Sequence, residues 1–339
     1  MSFHPDETTL SGLFHAAYGA HPNSITALKP HASDRRIYRL LGSGSSIIGV
    51  VNDNRPENLA FVYLAKHFRS LGLSVPEVLR FSLDERAYLL DDLGDTTLRD
   101  QLDIARGETN EPFPHKIEAL YKLALTDLVR FQVEGGRTID FSQCYPESSF
   151  STAALKQDLL GFSSELVLRI LPSYPIESLT ADYRKLSDLI AQAPAGFFLY
   201  RDFQSRNIMV QDERLFFIDF QGGRKGPLQY DVVSLLYQSS ATIPQHNRDV
   251  LLDFYLCELT KAVPSVPSNF KELYGAFIIA RMLQVLGVYG RQGLGAGKEY
   301  FRESIPLALQ TLSGYLGSPE CSVSLPTLLE CIDRLGVVN

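Results

Sequence analysis

The stretch Leu199–Val210, LYRDFQSRNIMV, followed by Arg214–Gln221, RLFFIDFQ, decides how this chain is read. Asp202 is followed after four residues by an amide, Asn207. A short polar turn, QDER, then leads into an apolar run that ends in a second acid, Asp219. Continuous apolar residues before Asp219 predict a buried strand that delivers one charge at its end. An acid and an amide on one loop, with a further acid at the end of the next strand, form the set that metal-dependent phosphoryl transfer requires. That reaction needs positioning and charge neutralisation more than covalent help. Asp202 is the candidate acceptor of the proton of an attacking hydroxyl. Asn207 and Asp219 are candidate oxygen ligands of Mg2+, a hard cation that would bridge to the phosphates of ATP. Each residue alone reads as a cap or turn former; the combination carries the chemistry.

The 339 residues are enough for a sizeable core divided into two lobes. A net charge of -7 and the absence of any basic block argue against a phosphate-tracking nucleic-acid surface, so the expected partners are small molecules. No apolar run reads as a membrane span, and the start MSFHPDETTL has no basic segment followed by an apolar stretch; a cytoplasmic enzyme is the expectation. Cys144, Cys257, Cys321 and Cys331 show no C-x-x-C pairing and read as free thiols.

Working outward from the motif, residues 6–20 read as a helix and residues 24–52 as three short strands. GSGS, lying between two apolar runs, reads as a hairpin turn rather than a phosphate loop. The connection His31–Arg36 is the better candidate to cover nucleotide phosphates, with Ser33 as a donor and Arg35 or Arg36 as the charge; a solvated basic turn is the equal alternative. PENLAFVYLAKHFRSLG, with Pro56 at its start and Gly72 at its end, predicts the long helix of this lobe. Glu57 in its first turn either complements the helix dipole or orients a strand cation. Yet the strand SIIGVVND offers no lysine for it. Two more strands lead to DDLGD, where the backbone of Asp91, Asp92 and Leu93 is the candidate hinge that bonds an adenine edge. The rest reads as helices near 116–134, 153–170, 177–193, 231–259 and 270–291, giving an α+β chain with a nucleotide-covering lobe at 1–93 and a catalytic, substrate-binding lobe at 94–339.

With these elements placed, the chain resembles the aminoglycoside phosphotransferase and choline kinase superfamily from about Ser24 to Leu309. That resemblance implies a protein-kinase-like two-lobe fold, a small strand-rich lobe over a larger, mainly helical one. Members usually have His-x-Asp around the base, whereas this chain has Tyr200, Arg201 and Asp202. DFQGGRKGPLQYDVVSLLYQ matches the family's short loop and acid-led helix, and there Asp231 is expected to steady the catalytic loop. SDRRIYRL, DDLGDTTL and especially ARMLQVLGVYGRQG are similar to a branch of bacterial kinases that phosphorylate the anomeric hydroxyl of N-acetylmuramate and N-acetylglucosamine. No activation segment of a protein kinase follows Asp219.

Arg224, Arg281 and Tyr289 are the candidate substrate-binding residues. Cations near the acceptor suit a neutral or carboxylate-bearing sugar better than a polycation. Arg281 and Arg291 taken singly read first as surface ion-pair formers, and Tyr230 and Tyr289 first as core packing. The expectation is Mg-ATP-dependent transfer to an amino-sugar hydroxyl. The alternatives are a kinase for another small alcohol or an aminoglycoside-type antibiotic, and a nucleotide-binding regulatory protein without catalysis, motivated by the missing strand lysine.

Overall fold

A computed structural model describes residues 5–28 and 34–338, so Ser33 and half of the connection His31–Arg36 proposed to cover phosphates lie outside the described residues. Five strands, β1 (Ser24–Ala27), β2 (Arg36–Gly42), β3 (Ser45–Val51), β4 (Val78–Phe81) and β5 (Ala87–Asp91), form one antiparallel sheet in the order β1-β2-β3-β5-β4. Ser43 and Gly44 turn β2 into β3 with φ of 52° and 75°, the left-handed pair of a tight hairpin, so GSGS is indeed a turn.

The sheet separates two environments. Helix α1 (Pro5–Tyr18) lays Leu10 and Phe14 against Tyr38, Leu40, Ile47 and Leu89 on the outer face. Gly49 permits this approach, since a Cβ there would stand 2.7 Å from the Leu10 side chain. The opposite face meets helix α2 (Arg55–Ser70), which starts at an Asn54 cap and is followed by Gly72 at φ 69°. Phe61, Leu64, Ala65 and Phe68 of α2 join a single core that continues into the helical part.

The helical part begins earlier than the sequence reading placed it. Helix α3 (Leu98–Thr109) precedes α4 (His115–Val129), opened by a reciprocal capping box between Thr97 and Asp100. Its polar composition hid it, but the T-x-x-D signature stands in the sequence. The helix expected over 231–259 is two, Gln229–Leu236 and Gln245–Ala262, because Pro244 cannot continue a helical ladder. The Phe270–Tyr289 helix and its continuation to Gly295 are apolar and long enough to cross a membrane, but the segment is mostly buried inside the protein, where it forms the central core helix.

Two small ladders complete the fold: β6 (Phe197–Leu199) with β9 (Arg224–Gly226), and the hairpin β7 (Ile208–Gln211) with β8 (Arg214–Phe217), turned by Asp212 and Glu213 at φ 49° and 62°. The hairpin is sewn to both parts of the chain. The Val210 N–H donates to the Thr96 carbonyl at 2.9 Å, and the Phe217 N–H donates to the Ser74 carbonyl at 2.8 Å. These bonds bring the catalytic motif beside the end of the sheet.

Candidate active site

Asp202 stands on a loop held from below. Buried Asp231 accepts the backbone N–H groups of Tyr200 at 2.7 Å and Arg201 at 2.9 Å, the steadying role expected of it. Burial pushes its carboxyl up to about 7, even with those two donors opposing the shift. Arg201 has φ 82°, a left-handed backbone that costs on the order of 1–3 kcal/mol and aims the next residue out of the core. The Tyr200 hydroxyl, deep in that core, donates to the Ile218 carbonyl at 2.7 Å and ties the loop to the residue before Asp219. The Asp202 side chain itself is 41% exposed.

Asp202, Asn207 and Asp219 come together. The Asn207 amide nitrogen donates to the Asp202 carbonyl at 2.9 Å and approaches Asp219 Oδ2 at 3.4 Å. Asp219 has φ 68°, so the turn after β8 swings its carboxylate back over the loop. The next ring, Phe220, stacks on Phe61 at 5.0 Å and meets Phe68 edge-on at 5.7 Å, coupling this acid to α2. Asp219 Oδ1 accepts from the Arg35 guanidinium and, at 2.8 Å, from the Gln221 amide. Burial pushes the Asp219 carboxyl up, but Arg35 and the Gln221 bond outweigh this and hold it below the ordinary carboxylate value.

The described residues contain no cluster of three or more His, Cys, Asp or Glu, so any ion here must be held by mixed oxygens. The donor set fits a hard divalent cation: the Asp219 carboxylate, the Asn207 carboxamide, and Gln221, whose Oε1 is buried without a hydrogen-bond partner beside Asp219. One carboxylate and two amides carry little charge, which suits an ion shared with phosphates. Gln221 was not singled out from sequence; its place two residues after Asp219 was the available signal.

Arg36 is a correction. Alternation along β2 turns it to the outer face, where it donates to Asp6 at 2.6 Å and Asp53 at 3.4 Å, remote from the cleft. Arg35, one residue earlier, reaches Asp219 instead. Glu57 accepts from Asn52 at 3.1 Å. At the hinge, the Asp92 carboxylate binds Arg39 at 2.7 and 3.1 Å and also accepts from Ser46, while Asp91 accepts the Glu77 N–H at 2.6 Å. Both side chains therefore brace the proposed hinge, and the Leu93 backbone N–H has no partner among the described residues.

Of the residues expected to bind the acceptor, Arg281 donates to Asp202 Oδ1 at 3.2 Å, to Ser234 at 2.9 Å and to Gln284. It is buried, as is Tyr289, and both line a small depression with Gln204, Ser234 and Met282. Tyr230 is core: its ring lies between Arg201 and Arg281, 5.1 and 5.5 Å from their guanidinium carbons. Arg224 is not bonded to Asp202. It donates to the Gly222 carbonyl and faces Glu147 at 3.7 Å, and burial, then nearby Arg201, lower its pKa. Arg201 pairs with Asp158 at 3.1 Å, a part-buried ion pair the sequence did not suggest. Arg291 is exposed.

Residues 24–263, most of the chain, match the model of a family described as phosphotransferase enzymes. The chain belongs to the phosphotransferase enzyme family. It is 26% identical, over 84% of its length and 81% of the relative's, to an N-acetylmuramate/N-acetylglucosamine kinase of Pseudomonas aeruginosa. A choline/ethanolamine kinase family protein from Mesorhizobium loti superposes with a TM-score of 0.64 at 13% identity, covering 98% of both chains. An amicoumacin kinase in complex with AMP-PNP and Ca2+ gives a TM-score of 0.64 at 11% identity, covering 96% of this chain and 97% of that one. The fold is thus the kinase-like α+β fold expected from sequence, and this member of the family is a small-molecule phosphotransferase.

Proposed function

We propose that the protein is a Mg-ATP-dependent kinase acting on an amino-sugar hydroxyl, the anomeric hydroxyl of N-acetylmuramate or N-acetylglucosamine. The nucleotide sits between residues 1–93 and 94–339, in the cytoplasm where ATP is abundant. The observation that carries the reading is the convergence of Asp202, Asn207 and Asp219 on one loop–hairpin unit, with Asn207 3.4 Å from Asp219 and bonded to the Asp202 backbone. The named relative supports the sugar, and the AMP-PNP and Ca2+ in a neighbour of the same fold support nucleotide and divalent ion.

The division of labour follows from the bonds. Asp202 Oδ1 is held by Arg281 at 3.2 Å and Gln204 at 3.3 Å, leaving Oδ2 without a partner among the described residues to orient the acceptor hydroxyl and take its proton. Asn207 and Asp219 would hold a magnesium ion, with Gln221 Oε1 as a further candidate oxygen, and the ion would supply charge neutralisation at the transferring phosphoryl group. The hinge backbone at Asp91–Leu93 receives the base, and its bracing by Arg39 fixes where that base lies. Buried cations on the acceptor side favour a neutral or carboxylate-bearing sugar over a polycation.

The test is ADP formation with Mg-ATP against N-acetylmuramate, N-acetylglucosamine, choline and an aminoglycoside. Turnover with the amino sugars supports the reading. Turnover with the others alone assigns a different alcohol, and nucleotide binding without turnover on any acceptor assigns a catalytically inactive regulator.

A further inference from the structure

The β3 strand leaves the cleft without a cation. Ile48 and Val50 lie on the face that meets the main core, and Val50, 4% exposed, lies in register between Ile37 of β2 and Tyr88 of β5. A charge is nevertheless delivered to that place from one strand over. On β2, Arg36 and Tyr38 point outward to Asp6, while Ile37 and Arg39 point to the cleft. Arg35, two residues before Ile37, continues the inward row, and its guanidinium donates to Asp219. Burial works against its charged form. Asp219, then the Tyr88 hydroxyl and, more weakly, Glu57 of α2 hold its pKa above the ordinary value. One guanidinium thus lies within electrostatic reach of both the helix acid and the metal-site acid. Arg206, the other cation whose field reaches Asp219, makes no hydrogen bond among the described residues.

We infer that Arg35 is the phosphate-binding cation of this chain, carried on the lead-in to β2 in place of a β3 lysine. The inference rests on the nucleotide-dependent reading above. Its guanidinium and a divalent ion would compete for the Asp219 carboxylate, since two cations on one carboxylate repel. With the ion held there, Arg35 would turn to the phosphates, whose paired oxygens match its planar fork. Ion alone and ion plus nucleotide therefore feel Arg35 with opposite sign.

Calorimetric titration of wild type, Arg35→Ala, Arg35→Lys and Arg206→Ala with Mn2+ alone, Mg-ATP and adenosine tests this. Expected for Arg35→Ala is a loss of about tenfold or more in Mg-ATP affinity, as for removing a charge-assisted bond to a charged group. Adenosine binding should be unchanged and Mn2+ binding tighter, with part of the Mg-ATP affinity restored in Arg35→Lys. Should Arg35→Ala fail to fold, Arg35→Met, which keeps the aliphatic stem, gives the same readout. Unchanged Mg-ATP affinity in these variants, an equal loss for adenosine, or a loss confined to Arg206→Ala would overturn the assignment while leaving the kinase reading intact. A wild type that binds neither Mg-ATP nor adenosine would instead remove the kinase reading itself.

Discussion

Arg281 sets a guanidinium nitrogen 3.2 Å from Asp202 Oδ1, from a side chain only 4% exposed on the central core helix. The helix thereby reaches through the core to hold the proposed base. Removing it in Arg281→Met frees Asp202 to turn without unmaking the hinge or the metal set. The account predicts a fall in kcat of about 100-fold, as expected for a misplaced reacting group, with the KM for ATP unchanged. Steady-state kinetics with both substrates checks the split.

Asp219→Asn removes the one carboxylate of the proposed metal set. Turnover should fall to background, and the affinity for ATP should cease to respond to Mg2+, measured by titrating nucleotide with and without the ion. Chelation of wild type should reproduce both effects, and added Mg2+ should reverse them in wild type alone.

Asp231 carries a pH signature. Its folded pKa, about 7, lies above its ordinary value of 3.8, so between those limits the folded chain keeps a proton that the unfolded chain has released. Unfolding then sheds a proton, and this group's contribution to stability, full below about pH 4, is lost as pH rises toward 7. The swing is on the order of a few kcal/mol. Asp231→Asn should flatten it, read as the wild-type-minus-variant difference in urea stability from pH 4 to 8. The variant should also lose activity, because an amide cannot accept both loop N–H groups through two oxygens.

The Arg39–Asp92 pair braces the hinge through two bonds at 2.7 and 3.1 Å. Asp92→Ala should lower unfolding stability by about 1.5–3 kcal/mol, the scale of a charge-assisted bond. It should weaken ATP binding while leaving the KM for the acceptor unaltered. Thermal unfolding and two-substrate kinetics separate the effects.

Much of this molecule is legible from local pattern. Strands β1–β3, helix α2 with its Pro56 and Gly72 punctuation, and the β7–β8 hairpin each follow from period, caps or turn residues. What failed did so where a pattern was weak or the deciding partner was distant. Helix α3 is too polar to show an apolar stripe, and Pro244 divides a run that periodicity alone joined. Whether Arg35 or Arg36 enters the cleft depends on a one-residue alternation, and that is set by Asp6 on α1. The Arg201–Asp158 pair spans 43 positions, and the Arg281–Asp202 pair spans 79. No local rule joins residues so far apart.

Asp202, Asn207 and Asp219 are proposed to direct a phosphoryl group from ATP to an anomeric hydroxyl. Phosphorus NMR of the protein with Mg-ATP and N-acetylglucosamine or N-acetylmuramate tests this most directly. The account predicts loss of the γ-phosphorus signal and growth of a sugar phosphate coupled to the anomeric proton, both absent with Asp202→Asn. An unchanged ATP spectrum, or a phosphate coupled to any other carbon-bound proton, would contradict it.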